Sequence, residues 1–266
     1  MNVDAPAEID LDAYLDRIAY RGGLEPTLET LEEIHFAHAR HIPFENLDVL
    51  LGRPIRLDLA SLQAKLVQGC RGGYCFEQNE LLAAVLERLG FTVTRLAGRV
   101  RMGAGASIRP RSHMMLQVHL DGHSWLADVG FGSAGLLKPV RLIPDEISPQ
   151  FAWAYRLVRE GELWVLQFLL AGQWTDLYAF TLEPQYPIDY EVASYFTSTH
   201  PRSIFLKMLL VQRPGAEVRY VLRDRELSIT RGDETASQPI ETDDKLLAVL
   251  AETFGLQFPP GTRFLP

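Results

Sequence analysis

The 266-residue chain is 47% hydrophobic, and its 34 acidic residues against 26 Lys and Arg give a formal net charge of −8. That length supports one large core or two, and the acidic balance argues against a nucleic-acid protein, which needs a basic face. No run approaches the roughly 20 apolar residues of a membrane helix. The first twelve residues hold Asp4, Glu8, Asp10 and Asp12 without the basic and apolar regions of a secretory leader, so a reducing, cytoplasmic setting is expected.

The first third reads helical. Asp10 to Tyr20 is a short amphipathic segment ending at Gly22-Gly23. Thr27 to His41 places Leu28, Leu31, Ile34 and His38 at near-helical spacing and stops before Ile42-Pro43. Asp58 is a cap for a helix presenting Leu59, Leu62 and Leu66, with Gly69 just past its end. A longer helix is expected from Cys75 to Leu89, with Phe76, Leu82, Val85, Leu86 and Leu89 on its apolar face.

From Phe91 the texture changes to short strands: Phe91 to Val100, Met114 to Leu120, His123 to Val129, Tyr155 to Val158 and Leu163 to Leu170. Further strand-like runs follow at Val218 to Leu222 and Leu227 to Thr230. A last helix is expected after the cap Thr242, with Leu246, Leu250 and Phe254 in one stripe before Gly255. Helices, then strands, then a mixed segment reads as α+β.

The two cysteines, Cys70 and Cys75, are too close for a well-motivated disulfide in a reducing compartment and lack histidines at zinc spacing. The densest chemical signal surrounds the second: Arg71-Gly72-Gly73-Tyr74-Cys75-Phe76-Glu77-Gln78-Asn79. The glycine pair is expected to turn the backbone sharply, so that Cys75 enters the first turn of a helix. Free amide N–H groups and the positive dipole end there favour a thiolate and suit an oxyanion. Cys70 sits at a helix end, where the dipole works the other way. Residue context alone leaves Cys75 as either a reactive thiol or a small apolar residue at a helix start.

A cysteine nucleophile needs a base, and the base an orienting partner. Asp121-Gly122 is a favoured pair for a two-residue type I′ turn. With that turn Leu120 faces His123, Met115 faces Asp128, and His113 faces Gly130. His113 and Asp128 then become diagonal neighbours on one face, with Cα atoms roughly 7–8 Å apart. Met114, Leu116, Val118, Leu120, Trp125, Ala127 and Val129 form the opposite, core face, so the polar pair is expected away from the hydrophobic packing. His119 and His123 flank the turn and are expected in solvent. His35, His38 and His41 do not converge on a metal, because 35 and 41 point roughly 120° apart on one helix.

With Cys75, His113 and Asp128 in that order, the chain resembles the arylamine N-acetyltransferase family over essentially its whole length. The resemblance rests on Pro26-Thr27-Leu28-Glu29-Thr30-Leu31, Ile42-Pro43-Phe44-Glu45-Asn46-Leu47, the run Arg71 to Asn79, Ser112-His113, Asp128-Val129-Gly130-Phe131-Gly132 and Ser198-Thr199-His200-Pro201. It implies a cysteine-peptidase-like core in three sub-domains: a helical bundle over 1–90 with the nucleophile, a β-barrel over 91–195 with the His and Asp, and an α/β lid over 196–266. It also implies a Cys75-His113-Asp128 triad and a ping-pong reaction. Acetyl-CoA, a co-substrate rather than a resident cofactor, gives its acetyl group to Cys75, and a small aromatic amine or hydrazine takes it. Phe44, Phe131 and Phe205 match positions that place aromatics around the thiol. A monomer or homodimer is expected.

Arg99, Arg101, Arg109 and Arg111 flank the flexible stretch Gly103-Ala104-Gly105-Ala106-Ser107. A dinucleotide fingerprint fails there, since Ile108 takes the third glycine position and no helix follows. Arg109 and Arg111 are the candidate contacts for the phosphates of CoA. Three other readings compete with the acetyltransferase. One is an amide synthase or acyltransferase on the same scaffold using another acyl thioester. Another is a cysteine peptidase or transglutaminase-like enzyme, which shares the triad logic, although no Cys-Gly-Ser-Cys-Trp segment is present. The last is a non-enzymatic binding protein, against which the complete triad argues.

Overall fold

The computed structural model describes residues 8–105 and 107–264, so the reading of the first seven residues and of Ala106 in the arginine loop lies outside the described part. Helix α1 (Leu11–Arg17) starts on the Asp10 carboxylate, which accepts from the Ala13 amide at 3.0 Å, and it ends three residues short of the expected Tyr20. Helix α2 (Leu28–His41) is capped by Thr27, and β1 (Phe44–Glu45) and α3 (Leu47–Leu50) follow. Asp58 caps α4 (Leu59–Leu62), which continues as a π-helical stretch over Gln63–Gln68. Helix α5 (Cys75–Arg88) begins and ends almost where the apolar periodicity placed it.

The next strands are β2 (Thr92–Val100), β3 (His113–Leu120), β4 (His123–Ala127), β5 (Val140–Arg141), β6 (Ile147–Gln150), β7 (Trp153–Glu160), β8 (Leu163–Leu170) and β9 (Gln173–Phe180). They make one antiparallel sheet in the order β5-β4-β3-β2-β9-β8-β7-β6. Its two ends approach each other through a Pro144–Leu157 bridge, where the Asp145 amide donates to the Leu157 carbonyl at 2.7 Å, so the sheet is a nearly closed barrel. Helix α6 (Pro187–Thr199) comes next, then a 3₁₀ turn over Ile204–Leu206. The chain ends with β10 (Leu210–Arg213), β11 (Val218–Arg223), β12 (Glu226–Arg231), β13 (Glu234–Pro239) and α7 (Asp243–Phe254). These four strands and β1 form a second sheet, β1-β10-β11-β12-β13, against which α7 packs Leu246, Leu250 and Phe254. The architecture is mixed α/β, and no helix among the described residues is long and apolar enough to cross a membrane.

Three features matter for the site. The β3–β4 turn is as expected: Asp121 and Gly122 have φ of +51° and +74°, and Leu120 pairs with His123. Strand β1 belongs to the N-terminal third yet pairs with β10 of the C-terminal sheet, while Phe44 bridges to Gly73 just before α5. Helix α6, unanticipated from sequence, runs through the expected boundary between residues 195 and 196.

One expectation is corrected. The face of β3–β4 opposite the Met114 face is the barrel interior, itself apolar, where Met115 and Leu126 pack with Leu96, Tyr155, Leu166 and Tyr178. His113 and Asp128 therefore sit between two cores, at 3% and 0% exposure, rather than away from the packing.

Candidate active site

Cys75 is the first residue of α5, and tight backbone packing brings it there. Neither Gly72 nor Gly73 has positive φ, so the pair does not supply the sharp glycine turn expected from sequence. Space is what it supplies instead. A Cβ at Gly72 would run into the Pro43 carbonyl oxygen, and one at Gly73 would lie 2.8 Å from a Glu77 oxygen. The bare backbone slides beside Pro43–Glu45, with the Glu45 amide donating to the Gly73 carbonyl at 3.0 Å. Gly130 closes the other side, where a Cβ would lie 2.6 Å from the Cys75 Cα.

Beneath this turn lies an ion network. Glu77 accepts from the Tyr74 amide at 3.0 Å, capping α5. Lys65 Nζ reaches Glu77 at 2.6 Å and Asp48 at 2.8 Å, and Arg71 reaches Glu45 at 2.6 Å and Asp48 at 3.3 Å. Burial pushes the Glu77 carboxyl up from the usual range despite Lys65. Burial works against the Lys65 ammonium too, but the three carboxylates around it prevail and raise it. Such a network is costly to break, because removing one partner strands a buried charge.

Strand β4 stops pairing at Ala127, one pair short of the Met115–Asp128 juxtaposition expected from the turn. His113 Nε2 and Asp128 Oδ2 nevertheless meet at 2.7 Å, the diagonal contact the register implies. Asp128 Oδ1 accepts from Asn79 Nδ2 and from the Gly130 amide, each at 2.9 Å. Burial alone would raise this carboxyl, but His113 and these donors hold it below the ordinary aspartate value. Burial likewise opposes the imidazolium, yet Asp128, with a smaller contribution from Cys75, raises His113 to about 10. With Nε2 engaged by Asp128, Nδ1 remains for the thiol. The Cys75 thiol itself donates to the Ser112 carbonyl at 3.5 Å.

Aromatic rings pack against His113 and, separately, against one another. Phe131 meets the His113 ring edge-on at 5.2 Å between centroids, and Tyr178 lies 4.6 Å from it. Phe44 and Phe205 form a second pair at 5.9 Å, with Tyr74 5.8 Å from Phe205. Burial, then the Asp128 charge, lifts the Tyr178 phenol well above its usual value. Among the described residues, two of the four loop arginines are paired with carboxylates and two with backbone carbonyls. Arg101 pairs with Glu160 and Asp176 and Arg111 with Glu183 at 3.0 Å, whereas Arg99 and Arg109 donate to the carbonyls of Arg109 and Gly103.

The roles of several site residues escaped the sequence reading. Asn79 lies one turn beyond Cys75 on the same helix face, a signal that spacing alone offered. His35 and Tyr178 offered no local signal, standing far from His113 and Asp128 in sequence. The three α2 histidines point apart: His35 Nε2 accepts from the Asp128 amide, His38 bonds to Tyr14, and His41 to the Ala37 carbonyl.

The family model described as N-acetyltransferase matches residues 27–262. Arylamine N-acetyltransferase of Mycolicibacterium smegmatis is 42% identical over 253 residues, 93% of this chain and 92% of that protein. The Escherichia coli arylamine N-acetyltransferase is 39% identical, covering 92% and 88%. Among solved structures, the Nocardia farcinica arylamine N-acetyltransferase superposes with a TM-score of 0.90 at 45% identity, covering 96% of this chain and 94% of that one. The Mycobacterium marinum arylamine N-acetyltransferase, solved in complex with CoA, superposes at 0.89 and 38% identity, covering 92% of each chain. Fold and sequence define an N-acetyltransferase. The chain belongs to the arylamine N-acetyltransferase family.

Proposed function

We propose that this protein transfers an acetyl group from acetyl-CoA to an aromatic amine or hydrazine through a thioester on Cys75. One observation supports it above the others: a buried His113–Asp128 pair at 2.7 Å beside a cysteine on the first residue of a helix. His113, held as imidazolium by Asp128, stabilises the Cys75 thiolate. The thiolate attacks the thioester carbonyl, the carbon–sulfur bond to CoA breaks, and CoA leaves as its thiol with the proton from His113. Exchange between similar sulfurs needs little driving force. The neutral amine then attacks acetyl-Cys75, His113 removes its proton, and the Cys75 sulfur leaves as thiolate. The α5 amide N–H groups stabilise the oxyanion in both halves.

The aromatic groups Phe131 with Tyr178 and Phe44 with Phe205 line the acceptor pocket in this reading, which favours a flat apolar substrate. Three units divide the work: residues 1–90 present the thiol, 91–195 the base and carboxylate, and 196–266 act as a lid contributing Phe205. Arg109, whose side chain donates to the Gly103 carbonyl, and Arg111, paired with Glu183, contact the CoA phosphates.

Intact mass after incubation with acetyl-CoA and no acceptor tests the centre of this reading. One acetyl group on Cys75, released by an arylamine, is the expected result. An unmodified Cys75, or labelling only by other acyl-CoAs, overturns it. In a separate low-salt titration, Arg109→Ala is expected to weaken apparent acetyl-CoA affinity roughly fivefold to tenfold, in line with one charge-assisted contact.

A further inference from the structure

Strand β4 ends at Ala127, so the next three backbone N–H groups, of Asp128, Val129 and Gly130, have no ladder partner. All three find side chains. The Gly130 amide donates to the Asp128 carboxylate itself, and the Val129 amide donates to Asn79 Oδ1 at 3.0 Å. The Asp128 amide donates to His35 Nε2, also at 3.0 Å, across a separation of 93 residues. Unpaired buried amides are costly, and here the amides also determine how the chain leaves the sheet with the carboxylate aimed at His113.

His35 is fully buried on α2. Accepting at Nε2 requires the lone pair there, so the proton sits on Nδ1, towards the Leu137 carbonyl, with no hydrogen bond of standard length and angle among the described residues. Burial depresses the imidazole to about 4, outweighing the Leu137 carbonyl and Asp128, so the ring is a neutral acceptor throughout the physiological range. With its Nε2 lone pair taken by the Asp128 amide and its proton on Nδ1, the ring has no free lone pair for a second base. What it does is hold one backbone amide.

We propose that His35 is a positioning residue. By accepting from the Asp128 amide it fixes the backbone that orients the Asp128 carboxylate, and so sets the protonation of His113. The inference rests on the triad reading, but one of its measurements needs no substrate.

The test compares wild type with His35→Gln, His35→Asn and His35→Leu. Glutamine places an acceptor the same number of bonds beyond Cβ as Nε2, asparagine is polar but one bond short, and leucine offers none. Three quantities are followed: the His113 titration by nitrogen-resolved NMR without substrate, the rate and half-saturation of Cys75 acetylation by acetyl-CoA, and the thermal midpoint. His35→Asn and His35→Leu are each expected to lower the His113 titration midpoint by about one pH unit or more. Their acetylation rate drops about tenfold, with half-saturation changed less than about twofold. His35→Gln restores most of both. Wild-type titration and acetylation in His35→Asn would overturn the proposal, as would a His35→Gln variant no better than His35→Asn; a lowered thermal midpoint with the titration and acetylation unchanged would overturn it too, leaving a structural role only. If His35→Leu does not fold, the two amide variants decide the matter. Failure of wild type to acetylate at Cys75 would overturn the triad reading instead, while the substrate-free titration still judges His35.

Discussion

Asp128 concentrates the demands on the site at the scale of a single residue. Its two oxygens accept from His113, Asn79 and the Gly130 amide, and its own amide donates to His35. Asp128→Asn would replace a charged acceptor by a neutral amide and leave His113 without its counter-charge. The expected loss in acetylation rate is roughly 10³- to 10⁴-fold, from misorientation of the imidazole; a rate within about tenfold of wild type in stopped-flow acetylation would contradict it. The same pair has a stability consequence. The folded His113 value of about 10 lies above the unfolded value of about 6.5, so its contribution is full below pH 6.5 and vanishes as pH rises through 10. The gap in chemical-denaturation stability between wild type and His113→Gln is therefore expected to narrow steadily from about pH 7 to pH 10.

Among elements, α5 and the segment after β4 are pressed together, with the Asn79 side chain bonded across the junction and bare backbone meeting at Gly130 and Cys75. Gly130 against Cys75 is the tightest point, because the nearest atom to a new Cβ is backbone and cannot rotate away. Gly130→Ala is expected to destabilise the fold by about 2–3 kcal/mol and to lower Cys75 acetylation more than about tenfold, since relief requires α5 and the Asp128 segment to part. Urea unfolding and acetylation kinetics on the same preparation check both. The ion network under α5 serves the same junction from below. Lys65 and Arg71 tie the capping Glu77 and the β1 residue Glu45 to Asp48 of α3, so the cap, the strand and the short helix hold one another in place.

For the molecule as a whole, burial of neutral histidines is expected to contribute to the loss of stability in acid. His35 titrates at about 4 and His38 at about 3, both through burial, against about 6.5 when unfolded. The unfolded chain thus binds protons first as pH falls, and the folded state loses stability below about pH 6.5. Each group adds a slope of about 1.4 kcal/mol per pH unit in the middle of this window. His38→Asn is expected to reduce the measured slope between about pH 6 and pH 4.5 by that amount; an unchanged slope in urea titrations would rule out a neutral buried His38. Between units, strand β1 joins the N-terminal third to the C-terminal sheet, and Asn46 strengthens the junction by donating to the carbonyls of Phe205 and Met208 at 2.9 and 2.8 Å.

Local chemistry was enough to read most of the helical framework and the hairpin. The caps Asp58 and Thr242 accept from the amides their positions imply, and Thr27, read as the first residue of its segment, caps α2 in the same way. Asp121-Gly122 set a register that places His113 beside Asp128, because side-chain alternation follows from the turn alone. Helix α6 was hidden because its burial runs against hydropathy: Ile188, Val192 and Tyr195 are exposed while Ser194 and Thr197 are buried. Strands β1, β5, β6, β9, β10 and β13 were missed as well, being short or mixed in polarity. What surrounds Cys75, His113 and Asp128 came from long-range packing. The need for glycine at 72, 73 and 130, the closing of the barrel over His113, and the holding of Asp128 by His35 and Asn79 all depend on contacts between segments far apart in sequence. Local propensity and periodicity do not register such contacts. The candidate residues Cys75, His113 and Asp128 and their order are legible from local chemistry, whereas contacts between distant segments supply the burial and hydrogen bonding around His113 and Asp128.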